Sequence, residues 1–265
     1  MFDWDAYLHR LDLPEAGAPS EATLARLHEA HALAIPFENL DIQMGRGIRL
    51  ELPHLEAKLV RAARGGYCFE QNTLFRAALE SAGFQVAAFE ARVRVGTDRV
   101  LPRTHMLLQV ETEGRAWLCD VGFGGGGPLR PVPMDGTPQP MGPWTFRVWP
   151  EGPLRVLQSL RGEQWADLYA FLPEPRPEVD FEMGNWFTST HPDSRFMVTL
   201  TAQRTFRDRR AVLRNLLLEI ESRDGLQTQE VPRSDLTRIL REIFGIIVPD
   251  QARFRALDGE SSPGM

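Results

Sequence analysis

Cys68 follows Gly65, Gly66 and Tyr67 and opens a run in which Asn72, Phe75, Leu79 and Ala82 recur at helical spacing. That places a thiol in the first turn of a helix. Unpaired backbone N–H groups and the positive end of the helix dipole there favour the thiolate, the reactive form of cysteine. The paired glycines let another chain or a ligand come close to the sulfur. A thiol nucleophile needs a base beside it and a third group to orient that base. Of His9, His28, His31, His54, His105 and His191, His105 stands out because it begins an otherwise apolar strand. His28 and His31 share a helix and read as its surface or core residues. No matching cysteine or carboxylate pair accompanies them, so no metal site is expected.

Asp120 is the acid that hairpin geometry brings to His105. With Glu113-Gly114 as a two-residue turn, Thr112 faces Arg115, Leu107 faces Asp120 and His105 faces Gly122. His105 and Asp120 then share one face as diagonal neighbours, about 7–8 Å apart at the backbone. Cys119 falls on the other face, and a slip of one residue would reverse the arrangement. Gly122, Gly124 and Gly127 also match G-x-G-x-x-G, but Pro128, Pro131 and Pro133 follow within six residues. Such a segment cannot open the helix a dinucleotide site requires. The glycines read equally well as a flexible loop or as a cradle for a phosphate-bearing group.

The elements that must carry these residues change character along the chain. Ser20 caps an amphipathic run through Leu24, Leu27, His31 and Ile35 that Pro36 ends. A short helix is expected over 54–63, and the Cys68 helix closes at Gly83. From 85 to 95 the period becomes two, with Ala87, Phe89, Ala91, Val93 and Val95 on one face. Strands are expected at 105–111, 115–121, 144–149, 154–160, 164–170, 195–201 and 211–220. Residues 122–143 read as loop, and 173–177 as a proline-rich connection. A helix is expected from Ser234 to about Phe244, with a polar, disordered end from Asp258. Helices, then strands, then a mixed tail indicate an α+β fold.

Bulk properties narrow the class. The 265 residues, 43% hydrophobic, can bury a substantial core, and about 150 residues per domain suggests two. A formal charge of -6 argues against a general nucleic-acid binder, which needs a basic face. Arg204, Arg207, Arg209 and Arg210 read as a solvated surface run. Two cysteines make no disulfide framework, the acidic start MFDWDAYLHR is not expected to act as a signal peptide, and no membrane-spanning helix is expected. The expected compartment is the cytoplasm.

Several segments together resemble the arylamine N-acetyltransferase family. They are Pro36 through Leu40, Arg64 through Asn72 (RGGYCFEQN), Thr104 through Leu107, Asp120 through Gly124, and Asn185 through Thr190. The resemblance implies an N-terminal helical bundle (1–84) carrying the nucleophile, a central β-barrel (85–190) carrying His and Asp, and a connecting segment with a C-terminal α/β lid (191–265). It implies a cysteine-protease-like triad of Cys68, His105 and Asp120, in agreement with the reading from the residues. It further implies acetyl transfer from acetyl-CoA, a co-substrate rather than a tightly bound cofactor, to a small aromatic amine or hydrazine. Phe37 and Phe123 would line the acceptor pocket, Gly124, Gly125, Gly126 and Gly127 would lie near the CoA pyrophosphate, and Arg64 would pair with Glu38 in support. Neither nucleic acid nor membrane is an expected partner. Cys119 before the acid, the unusually glycine-rich turn and the short C-terminal part depart from the family pattern. A macrolactam-forming amide synthase of the same family and a papain- or transglutaminase-like hydrolase are the alternatives.

Overall fold

The computed structural model describes residues 2–97, 99–249 and 251–259. Helices come first. They are α1 (Trp4–Arg10), α2 (Glu21–Ala34), α3 (Leu40–Gln43), α4 (Leu52–Leu55) and α5 (Cys68–Ser81), with a two-residue strand β1 (Phe37–Glu38) before α3. The Ser20 hydroxyl caps α2 by accepting from the Thr23 N–H at 3.2 Å, and Gly83, at φ +89, follows the end of α5. The helix expected over 54–63 is instead α4 running into a π-helical turn over Glu56–Arg61.

The next strands form one antiparallel sheet. They are β2 (Val86–Val93), β3 (His105–Thr112), β4 (Arg115–Cys119), β5 (Val132–Pro133), β6 (Gln139–Met141), β7 (Trp144–Glu151), β8 (Leu154–Arg161) and β9 (Gln164–Phe171). Their order is β5-β4-β3-β2-β9-β8-β7-β6. The sheet curls until β5 comes up against β7, so it is nearly a closed barrel, an arrangement that shortens exposed edges. Leu118, Val132, Phe146, Val148 and Leu157 fill its interior. Thr112 pairs with Arg115 and Leu108 with Cys119, the register expected from the sequence. Glu113 (φ +53) and Gly114 (φ +75) make the turn, the two positive φ values that match the twist of a hairpin.

The chain continues through α6 (Glu178–Thr190), α7 (Arg195–Val198), β10 (Thr201–Thr205), β11 (Arg209–Arg214), β12 (Leu217–Ser222), β13 (Gly225–Glu230), α8 (Leu236–Glu242) and α9 (Arg255–Asp258). A second sheet runs β1-β10-β11-β12-β13. The structure departs from the expected elements at further points, with the short strands β5 and β6 lying in the 122–143 segment expected to be loop. Helix α6 had no counterpart in the sequence reading. Residues 195–198 are helical, capped by the Ser194 hydroxyl, so the expected strand begins only at Thr201. The strand expected over 211–220 is the hairpin β11–β12, turning at Asn215 (φ +53). Arg210 is not on a solvated surface. It is 2% exposed, its guanidinium lying 3.7 Å from the centre of the Trp144 ring. Residues 260–265, most of the polar end expected from Asp258, lie outside the described residues.

Helix α5 is buried on two sides. Leu74 and Ala78 pack with Tyr7, Leu11, Leu55 and Leu59. Phe69, Phe75 and Leu79 pack with Met106, Leu108 and Val110 of β3. Each of the large side chains contributes about 1.5–3 kcal/mol, so the first turn of α5 is held firmly against the strand that begins at His105. Among the described residues no helix is long and apolar enough to cross a membrane.

Candidate active site

The two glycines before Cys68 have a steric reason. A Cβ on Gly65 would lie 2.2 Å from the Pro36 carbonyl oxygen, and one on Gly66 would lie 2.9 Å from the Glu70 Cβ. Residues 36–38 cross the nucleophile loop there, with the Glu38 N–H donating to Gly66 O at 3.1 Å. The Gln71 amide donates to Gly66 O at 2.8 Å and to Pro36 O at 3.3 Å, fastening the crossing.

The helix start itself is fixed by Glu70, which accepts from the Tyr67 N–H at 3.1 Å, the N3 position of a capping box. Glu70 belongs to a chain of ion pairs in which the two glutamates are buried and the other partners half-buried. Lys58 donates to Glu70 at 2.8 Å and contacts Asp41 at 2.7 Å, while Arg64 donates to Glu38 at 2.6 Å and lies 3.4 Å from Asp41. Burial pushes Glu70 up, and burial opposes ionisation of Asp41 too, but Lys58 and Arg64 hold that carboxyl below its ordinary value. The expected Arg64–Glu38 pair is therefore one end of a five-residue network beneath Cys68. The capping position of Glu70 was readable in the sequence, whereas Lys58 and Asp41 carried no local signal.

Cys68, His105 and Asp120 come together at 3%, 3% and 1% exposure. Cys68 Sγ lies 3.6 Å from the Thr104 carbonyl oxygen. His105 Nε2 is 2.7 Å from Asp120 Oδ2, which leaves Nδ1 as the ring nitrogen available to Cys68. Burial alone would lower the imidazole, but Asp120 outweighs it, Cys68 adds to the effect, and the ring is raised to about 10. Burial works against the Asp120 carboxylate as well, yet His105 and the surrounding donors hold it below its ordinary range. Those donors are Tyr169 Oη (2.8 Å), Asn72 Nδ2 (3.0 Å) and the Gly122 N–H (2.9 Å). Asn72 was not among the expected site residues, although its place one helical turn from Cys68 on the same face is a signal that could have found it. Tyr169, sixty-four residues from His105, carried no such signal.

Cys119 lies across the hairpin from this face, fully buried, and burial first, then the Asp120 charge, push its thiol well above the ordinary cysteine value, so it stays an unreactive thiol.

Gly122 sets how close the two halves come. A Cβ there would lie 2.7 Å from Cys68 Cα and 3.0 Å from Cys68 O. Backbone cannot step aside, so Gly122→Ala is expected to move Asp120 away from α5 and lower kcat/KM on the order of a hundredfold. Steady-state kinetics with a thermal melt checks this, and wild-type turnover in the variant would exclude the steric account.

Phe123 lies with its ring 5.1 Å from that of His105, and Phe37 packs 5.9 Å from Phe196. Gly124 to Gly126 form a 3-10 turn whose Gly125 N–H donates to Gln203 Oε1 at 2.8 Å, tying it to β10. A cavity of about 10 Å³ lies among Phe37, Gln71, Phe123, Gly124 and Gln203. That is room for about one water.

A family described as N-acetyltransferase matches residues 21–253. An arylamine N-acetyltransferase of Mycobacterium tuberculosis is 36% identical over 97% of this chain and 93% of its own. A Salmonella typhimurium protein named arylamine N-acetyltransferase / N-hydroxyarylamine O-acetyltransferase is 42% identical over 72% of this chain and 69% of its own. Among solved structures, the Nocardia farcinica arylamine N-acetyltransferase superposes with a TM-score of 0.88 at 41% identity, covering 94% of this chain and 90% of that one. The Mycobacterium marinum enzyme in complex with CoA gives 0.87 at 35% identity, covering 92% and 93%.

Proposed function

The chain belongs to the arylamine N-acetyltransferase family, and from that premise we propose that it carries an acetyl group from acetyl-CoA to an aromatic amine or hydrazine through an acetyl-Cys68 intermediate. The observation that supports this most is the buried line from a thiol at a helix start, through His105, to an Asp120 held by three further donors.

In the first half-reaction the Cys68 sulfur attacks the thioester carbonyl. The carbon–sulfur bond to CoA breaks, and the departing thiolate takes a proton from His105. In the second, the amine nitrogen attacks acetyl-Cys68, His105 accepts its proton, and Cys68 leaves as thiolate. The Cys68 N–H has no partner within the helix at its first position and can donate to the tetrahedral oxyanion. Exchange of one thioester for another is nearly balanced, which suits sulfur as the carrier. Phe37 and Phe123 offer aromatic faces to the acceptor, and Gly124 to Gly127 lie where the CoA pyrophosphate would pass. The Mycobacterium marinum relative is in complex with CoA, which fits CoA as the leaving group here.

We assign residues 1–84 to a helical unit, 85–190 to the barrel unit and 191–265 to the connecting segment and lid. We place the enzyme in the cytoplasm, where its two free cysteines remain reduced.

The two-step scheme predicts parallel lines when reciprocal rate is plotted against reciprocal amine concentration at several acetyl-CoA concentrations. Lines that intersect to the left of the axis would show that both substrates bind before chemistry, and the scheme would be wrong.

A further inference from the structure

We propose that His28 is a positioning residue of this site, fastening both ends of the Asp120–Leu129 segment to helix α2. The inference rests on the triad reading, because the segment carries Asp120, Phe123 and the glycine turn.

The His28 ring is fully buried. Its Nε2 lies 3.1 Å from the Asp120 backbone nitrogen, and its Nδ1 lies 3.0 Å from the Leu129 carbonyl oxygen. A backbone N–H only donates and a carbonyl only accepts. Both bonds form together in one state alone, the neutral tautomer with its proton on Nδ1. Burial keeps the ring neutral by driving it down to about 4. The ring stands edge-on to Phe75 of α5, 5.6 Å between centres and 85° between planes, so its orientation is fixed by packing as well.

The position of the two bonds matters. The β3–β4 ladder ends at Leu108–Cys119, so Asp120 is the first residue beyond it and His28 supplies its N–H with an acceptor. Asn72 on α5 holds the carboxylate, and its Oδ1 accepts from the Val121 N–H at 3.2 Å. Two helices therefore grip the same residue, α5 by the side chain and α2 by the backbone. Leu129 lies at the far end of the segment, beyond the glycine turn. One imidazole thus fixes where the loop leaves the barrel and where it returns. A phenylalanine would fill the same space and make neither bond.

The test compares the full-length wild type with His28→Phe, His28→Gln, Asp120→Asn and the His28→Phe/Asp120→Asn pair. In His28→Phe the kcat for acetyl transfer falls roughly tenfold to a hundredfold, as for partners that orient reactive groups elsewhere, with KM for acetyl-CoA little changed. The NMR titration of the His105 ring shifts to lower pH, because Asp120 no longer sits squarely against it. His28→Gln can accept from the Asp120 N–H and recovers most of the rate. Adding His28→Phe to Asp120→Asn costs little more, the non-additivity of two groups acting through one.

A folded His28→Phe with wild-type kcat overturns the proposal. So does a loss of rate that is fully additive with Asp120→Asn and leaves the His105 titration unmoved, which marks packing alone. If His28→Phe does not fold, nitrogen NMR of the wild type decides. A slowly exchanging proton on His28 Nδ1 is the expected result, and a proton on Nε2 overturns it. Wild-type turnover in Asp120→Asn removes the triad reading and this inference with it. An impaired Asp120→Asn beside an unimpaired His28→Phe removes this inference alone.

Discussion

Cys68→Ala is expected to abolish acetyl transfer and leave the fold intact. The side chain is small and 3% exposed, and its sulfur contacts the Thr104 carbonyl oxygen at 3.6 Å and the His105 ring, neither of which holds the helix in place. Alanine is the best helix former and keeps the first turn of α5. The Glu70 cap, the Gln71 bonds and the Lys58–Asp41–Arg64–Glu38 pairs do not involve the sulfur. What disappears is the atom that accepts the acetyl group. Loss of a triad nucleophile in a well-studied serine protease lowers kcat by about a millionfold, and a loss of that order is expected here. Turnover within tenfold of wild type, on protein with an unchanged melting temperature, would mean that the acetyl group travels by another route.

The second large effect is expected from Asp120→Asn. Four donors converge on this carboxylate, from His105, Tyr169, Asn72 and the Gly122 N–H. An amide has one acceptor end, so its NH₂ must face a donor. If the NH₂ takes the Oδ2 place it faces His105 and turns the ring or its tautomer, and if it takes the Oδ1 place it faces Asn72 and the Gly122 N–H and pushes the side chain out of position, while in both cases the negative charge that supports the imidazolium is gone. In a serine-protease triad the same exchange costs about ten-thousandfold in kcat, and a loss of about a thousandfold to ten-thousandfold is expected.

The exchange also has a signature in stability. The folded His105 value, about 10, lies above the usual 6.5, so the folded state holds a proton that the unfolded chain releases. That contribution is fully present below pH 6.5 and is lost as pH rises through about 10. Between these limits wild-type stability should fall by about 1.4 kcal/mol per pH unit from this one group. Asp120→Asn and His105→Gln should both lack that slope. Denaturant unfolding at several pH values measures it, and equal slopes in wild type and both variants would contradict the buried ion pair.

Much of this site was legible because its signals are local. RGGYC fixes a tight crossing and a helix start within five residues, and the Glu113-Gly114 turn sets a register that carries His105 and Asp120 to one face. What was missed depends on distant partners. Helix α6 contains Gly184, Thr188 and Thr190, poor helix formers. It forms because Gly184 lets the helix lie against Phe69, where a Cβ would come within 2.7 Å of the ring. The β11–β12 turn is marked only by Arg214-Asn215 between two apolar runs, with no glycine or proline beside it. Arg210 is buried because β11 turns it onto Trp144, which no property of an arginine-rich run foretells. His28 looks like any histidine on an amphipathic helix, and only the fold reveals that Asp120 and Leu129 meet its two nitrogens.

The most direct test of the account is the intact mass of the protein after mixing with acetyl-CoA in the absence of amine, for wild type and for Cys68→Ala. The account predicts a gain of one acetyl group in the wild type, located on Cys68, reversed on addition of an aromatic amine, and no gain in the variant. A folded wild type that gains nothing, or a Cys68→Ala protein that gains the same acetyl group, would contradict it.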